Sequence, residues 1–418
     1  LLSSKTLLSQ ILAGKIIGAD HVNNTLRISP DHIYGHDRNT FKIIHELSRI
    51  TAESAAVPDP HRIKLFMDHY SPPPSEKEAL LHDEQRAFAK QTGCHIYDER
   101  SGIGHQIALE EFISTGDIAV GIDTHTCSVG ALGAFGWRCA QTVVAHSIAK
   151  GYFDFMVPQI IKVQLKGSLN GLCTGNEIMF ELSKYGIEKF MNAILEFGGE
   201  GLKKLTIGQR ITIANLAYDL NARSVIMETD EITFDYLNTK KGRSYKKLTA
   251  NLSDYDEVIG IDLDMLSPSI AFPGNIFNVQ KLSECHEKIP VNLLVLGTCT
   301  NGRIEDYQDF LKYFTASHLP EGLRLHVIVS SRNILLELLN TGLYKAFVEL
   351  GAVINPPGCG SCMGLHQGVL SENDVCVITG SRNNKGRMGA EDARIFLANP
   401  RLLGCIANHG FIHSSIIH

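Results

Sequence analysis

The last third of the chain alternates between short apolar runs and amphipathic stretches, and this alternation restricts the fold more than any other feature. "VNLLVLG" (291–297), "LRLHVIVSS" (323–331) and "DVCVITG" (374–380) read as buried strands, and "AVINPPGCGSC" opens as a further short one. Between them, "IEDYQDFLKYF" and "RNILLELLNTGLYKAFVEL" carry apolar residues at helical spacing. Strands alternating with helices predict an α/β sheet with parallel character. Each predicted strand runs into a polar, Gly-rich loop: "TCTNGR", "PPGCGSC" and "SRNNKGRMG". Ligands of open α/β sheets bind at the carboxyl ends of the strands, so these loops are where chemistry is expected.

Upstream the pattern is looser. "SKTLLSQILAGKII" has helical spacing, "QIIKVQLKG" reads as a strand, "EIMFELSKYGIEKFMNAILEF" as helices and "QRITIANLAYDLNAR" as another helix. From about 119 to 147 small residues dominate, which suits loops and close backbone packing.

Composition removes several function classes. Lys and Arg (39) nearly balance Asp and Glu (45), with no long basic run to recruit nucleic acid. The longest apolar runs are too short to span a bilayer. No secretory signal opens the chain, so a cytoplasmic protein with reduced thiols is expected. The ten cysteines are scattered and form no disulfide framework.

Cys359 and Cys362 form a CxxC in a loop crowded with Gly and Pro. A redox dithiol normally opens a helix near the start of a thioredoxin-like unit, and this pair follows two prolines late in the chain. A metal loop explains more, because glycines free backbone N–H groups to face sulfur. Cys299, in "GTCTNGR", is the best third ligand, since it also follows a predicted strand. Three thiolates suit zinc with one further ligand, or an iron–sulfur cube with one iron free of protein. Spacing does not choose between them.

"GTCTNGRIEDY" and "PPGCGSCMG" resemble the two cluster-binding segments of the aconitase family, which includes 3-isopropylmalate dehydratase large subunits and homoaconitases. The resemblance extends through "FMDHYSPP", "GIGHQIALEEF", "GIDTHTCSVGALGAFG", "LEFGGEGLKKLTIGQRITIANLAYDLNA" and "GSRNNKGRMG", in family order. It implies three α/β domains, approximately 1–158, 159–287 and 288–418, with mixed and parallel sheets flanked by helices. A [4Fe–4S] cluster would lie at their junction, on Cys299, Cys359 and Cys362. By the same resemblance Asp68 with His69, His105, and Asp123 with His125 would handle protons and water around the open iron. Arg382 and Arg387 would clamp substrate carboxylates, with Asn301, Ser381, Asn215 and Asp219 as further substrate-binding or supporting groups.

The activity implied is a hydro-lyase that dehydrates and rehydrates a hydroxy di- or tricarboxylic acid. 3-Isopropylmalate, in leucine biosynthesis, is the first expectation; homoaconitase or substituted-malate and maleate hydratase chemistry follows. The chain ends soon after "GSRNNKGRMG", so the swivel domain and its catalytic base are expected on a separate small subunit. Some positions depart from the family pattern: Thr124 in "DTHT", Trp137, Arg138 and Cys139 in "GWRCAQTV", Gly175 and Asn176, Asp219, and Ser381. Bulk at 137–139 is expected to reshape a nearby pocket, and the set implies altered substrate preference or reduced activity. Two readings of another class are an iron sensor on the same fold and a zinc-bound non-enzyme.

Overall fold

The computed structural model describes residues 5–20, 23–51 and 57–417. Three sheets organise it. The first has five strands, His32–His36 (β1), Ile63–Phe66 (β2), His95–Tyr97 (β3), Ile118–Gly121 (β4) and Phe135–Arg138 (β5), all parallel in the order β3-β2-β1-β4-β5. The second is also fully parallel: Ile160–Lys166 (β6), Ile194–Gly198 (β7), Ser224–Met227 (β8) and Glu257–Asp262 (β9), ordered β8-β7-β6-β9.

The third sheet is mixed. Ser269–Ala271 (β10) and Val279–Lys281 (β11) pair antiparallel at one edge. Leu293–Gly297 (β12), Arg324–Ile328 (β13), Val353–Asn355 (β14), Val375–Ile378 (β15) and Arg394–Leu397 (β16) run parallel. The seven-stranded order is β11-β10-β16-β15-β12-β13-β14. Small antiparallel ribbons at 16–20, 25–28 and 153–155, and at 289–290 with 411–412, complete the pairing. The mixed and parallel α/β architecture expected from the alternating pattern is the one present. No helix among the described residues is long and apolar enough to cross a membrane.

Parallel sheets need cover on both faces, and their strands read as unbroken apolar runs for that reason. Every residue of β12, "LLVLG", is buried. One core cluster joins the sheets: Tyr34 and Ala119 from the first, Leu195 and Val225 from the second, and Val295 and Ile378 from the third belong to it. Satellite cores lie around Ile33, Leu65 and Val120, and around Leu294, Phe310 and Phe347.

Two local expectations need correction. "ILEF" in the predicted helical stretch 177–197 is strand β7; only Gly175–Ser183 is helix there. A fully buried apolar run has no exposed face, so period alone cannot separate strand from helix. Glu196 sits inside that strand and is held by the backbone N–H groups of Leu7 and Leu8. The stretch after β13 is two helices, Arg332–Asn340 and Leu343–Glu349, broken at Thr341–Gly342. The predicted opening helix runs over Leu7–Leu12, and Ser4 lies outside the described residues.

The run of small residues has a steric cause. The helical segment Thr124–Leu132 packs between β5, β8 and the helix Ile207–Leu216. A Cβ on Gly130 would lie 2.0 Å from the Val225 carbonyl oxygen, in the backbone of β8. Backbone cannot rotate aside as a side chain can. Gly130→Ala is therefore expected to cost about 3 kcal/mol or more, at the upper end for overpacking. A urea unfolding midpoint unchanged from the parent would show that the segment yields instead.

Candidate active site

Two sheets aim their carboxyl ends at one cavity of about 190 Å³. In the first sheet, β1 ends at His36 and leads to Arg38, β2 leads to Asp68 and His69, β4 to Asp123 and His125, and β5 ends at Arg138. In the third, β12 leads to Cys299, β14 to Cys359 and Cys362, and β15 to Ser381 and Arg382. Cavity walls include His36, Arg38, His69, His105, Asp123, His125, Arg138, the three cysteines, Arg382 and Arg387. Residues up to about 350 positions apart thus share one space.

Asp123 is the hub of the histidines. Its Oδ1 lies 3.0 Å from His105 Nε2 and accepts from the His125 backbone N–H at 2.7 Å, capping the helical segment that begins at Thr124. Its Oδ2 is 3.7 Å from His69 Nε2 and 3.8 Å from His36 Nε2. Burial disfavours its charge, but the adjacent His105 overrides this and holds the carboxyl well below the usual range.

Asp68 ties three elements together. One oxygen pairs with His69 Nδ1 at 2.7 Å, and the other accepts from the Gly104 N–H, 2.9 Å away, at the start of the helix Gly104–Glu111. A carboxylate at a helix N-terminus is favoured there by the exposed amides. The Asp68 carbonyl accepts from the Cys359 N–H at 2.8 Å, linking the histidine pair to the cysteine loop. Behind His69, buried Asp37 accepts from the backbone N–H of Tyr70 at 2.9 Å and lies 3.3 Å from His82 Nε2. Burial alone would lower His69, yet Asp68 and Asp37 raise it well above the ordinary histidine value. His36 stacks on His69 at 4.4 Å; burial and that neighbour lower it to about 4.

The arginine side is also built. Arg382 pairs through Nε with Asp219 and donates to Thr124 Oγ1 at 3.0 Å. Asp219 is buried and also faces His125 Nε2 at 3.6 Å. Ser381 Oγ lies 3.4 Å from the same imidazole nitrogen. Asp219 and Ser381 therefore stand behind the wall and support His125 and Arg382. Asn215 is fully buried, accepting from Thr300 Oγ1 at 2.8 Å and donating to Ser128 Oγ at 3.2 Å. Asn301 points its amide N–H at Thr212 and Asp306, each at 3.1 Å, away from the cavity wall.

The three thiols suit a cationic group. Burial, together with the neighbouring Cys362, pushes Cys299 up to about 12, and burial with Asp68 raises Cys359 well above the ordinary thiol value. Thiols crowded this way ionise together only around positive charge. Gly360, at φ +54°, lets the chain turn between Cys359 and Cys362. His125 Nδ1 lies 3.6 Å from Cys299 Sγ, and an Arg387 terminal nitrogen lies 4.0 Å from Cys362 Sγ. Beside the thiols, the His36–Asp37–Asp68–His69 and His105–Asp123–His125 sets each bring their ligand atoms within 4.8 Å of one another.

His36, Arg38 and Asn39 also line the cavity, although nothing in the sequence marked them. The polar run "GHDRN" directly after "HIY" was the available signal, and it becomes meaningful once His32–His36 is known to be a strand. Arg138 was marked only as bulk; it is a charged group on the wall.

The model of the Aconitase family (aconitate hydratase) matches residues 14–289 and 277–410. The 3-isopropylmalate dehydratase large subunit 2 of Archaeoglobus fulgidus is 36% identical over 98% of this chain and 98% of its own. The 3-isopropylmalate dehydratase large subunit of Helicobacter hepaticus is 34% identical, over 97% and 98%. The methanogen homoaconitase large subunit of Methanocaldococcus jannaschii is 31% identical over 98% of this chain and all of its own, 100%. Matches of this extent, running through both of the sheets that build the cavity, mean that the chain belongs to the aconitase family.

Proposed function

We propose that this chain is the large subunit of a hydro-lyase that removes and re-adds water on a branched malate, holding a [4Fe–4S] cluster on Cys299, Cys359 and Cys362. The observation that carries the reading is the cavity itself, where one buried and two half-buried thiols, a histidine–carboxylate network and arginines converge. The names of the relatives favour 3-isopropylmalate as substrate, in the cytoplasm and within leucine biosynthesis. A homoaconitase-type substrate is the second reading, and Arg138 favours it.

When bound, the cluster supplies an iron without a protein ligand, a Lewis acid for the substrate hydroxyl and carboxylate. Arg382, preset by Asp219, and Arg387 bind carboxylates through paired N–H donors. His69 keeps one proton on Nδ1 toward Asp68, so its Nε2 faces Asp123 and the cavity. That nitrogen carries the second proton and delivers it to the departing hydroxyl. Asp123 stays ionised and orients His105 for water. Abstraction of the α-proton falls to a base on the small partner subunit, consistent with the "large subunit" names of the relatives.

The test is anaerobic reconstitution with iron and sulfide, followed by assay with the small subunit on 3-isopropylmalate and tricarboxylate hydroxy acids. Iron and sulfide in equal amounts, with reversible formation of the unsaturated acid, is the expected result. Zinc at one per chain, or no turnover of any such acid by the reconstituted complex, would overturn the reading.

A further inference from the structure

Four guanidiniums border the cavity: Arg38, Arg138, Arg382 and Arg387. Arg382 is paired through Nε with Asp219, which leaves its other terminal nitrogen for a substrate carboxylate. Among the described residues, none of the other three forms an ion pair, and the Nε atoms of Arg138 and Arg387 are buried with no hydrogen-bond partner. Among the described residues the one carboxylate on the wall, Asp123, is already ringed by imidazoles. Arg38 is exposed, but the buried Nε–H groups of Arg138 and Arg387 await anionic acceptors, because their desolvation is otherwise uncompensated.

Any malate-type substrate brings two carboxylates, and Arg382 and Arg387, from the loop after β15, account for two. Arg38 and Arg138 enter from the other side of the structure, after β1 and at the end of β5 of the first sheet. The wall offers little apolar surface for a branched hydrocarbon: Ile103, Ile122 and Met363. An isopropyl group against Arg138 would strip water from a charge and return no hydrogen bond. A carboxylate there accepts from the free Nε–H and a terminal N–H of one guanidinium.

We infer that Arg138, with Arg38, forms an anion subsite for a third carboxylate on the substrate's branch, so that the preferred substrate is a hydroxy tricarboxylate. This inference rests on the hydro-lyase reading and decides between its two substrates. The residues used belong to this chain's first sheet, and the subsite is complete without the thiol-bound group.

The test is calorimetric titration of the reconstituted large–small complex with two inert succinates that differ only in the branch. Tricarballylate carries a carboxymethyl branch and 2-isopropylsuccinate an isopropyl branch. The parent protein is expected to bind tricarballylate at least about tenfold more tightly. Arg138→Met, which keeps the stem, is expected to weaken tricarballylate by about 30-fold and 2-isopropylsuccinate by less than about threefold. Arg138→Lys should recover part of the loss, because it retains the charge without the fork. Equal or tighter binding of 2-isopropylsuccinate by the parent would overturn the inference, as would equal weakening of both ligands by Arg138→Met. So would loss of small-subunit association in Arg138→Met with ligand discrimination intact, since Arg138 would then meet an acidic group of that partner. Binding is read whether or not turnover occurs, so a complex that discriminates but does not dehydrate any acid contradicts the hydro-lyase reading alone.

Discussion

Cys359→Ser is expected to strip the reconstituted protein of most of its iron and sulfide and to lower turnover by roughly 10³, the equivalent of about 4 kcal/mol of lost Lewis-acid stabilisation. Serine matches cysteine in shape, and the Cys359 N–H keeps its bond to the Asp68 carbonyl, so the loop is not expected to unfold. What changes is the donor: a hard, weakly acidic hydroxyl replaces a soft thiolate. Cys405→Ser is the control, since Cys405 is buried in the core around Phe310 and lies far from the cavity wall in the packing. Iron content of Cys359→Ser equal to that of Cys405→Ser would remove Cys359 from the ligand set.

Asp123→Asn is expected to lower kcat by about 10²–10⁴ with a small change in KM. The amide oxygen can still accept from the His125 N–H, so the cap of the helical segment survives. The negative charge does not survive. His105 loses its anionic partner, 3.0 Å away, and the Nε2 atoms of His69 and His36 lose the carboxylate they share. Imidazoles packed this closely then repel one another when protonated, so the proton held by His69 becomes harder to keep. Parallel pH profiles separate this from a steric effect: the variant's alkaline limb, where His69 gives up the proton it must deliver, should move to lower pH, whereas a packing defect scales the whole curve. Activity within threefold of the parent would mean that Asp123 has no part in proton handling.

The sequence made the cysteine loop readable because its determinants are local. CxxC spacing, flanking glycines and the preceding apolar strand all lie within a dozen residues, and the same holds for "GTCTNGR" and "DTHT". β12, β13 and β15 were equally legible, since buried parallel strands are short, apolar and bounded by loops. β7 was not, because an unbroken apolar run following a helix looks like its continuation. The supporting roles of Asp219 and Ser381 were also hidden: sequence placed them near the site, but not behind His125 and Arg382 instead of on the wall.

Residue types, turns and the alternation of strand and helix were therefore determined by the chain's local chemistry. Which loops meet was decided by strand order. Placing β1 between β2 and β4, with β5 beyond β4, brings His36, Asp68, Asp123 and Arg138 to one edge of the first sheet. The close approach of the Gly130 segment to β8 fixes how that sheet lies on its neighbour. Arg138 changed from bulk in a loop to a free cation in a cavity for that reason alone: charge acquires a function from what surrounds it, and part of its surroundings, the cysteine and arginine loops of the third sheet, came from segments more than a hundred residues away.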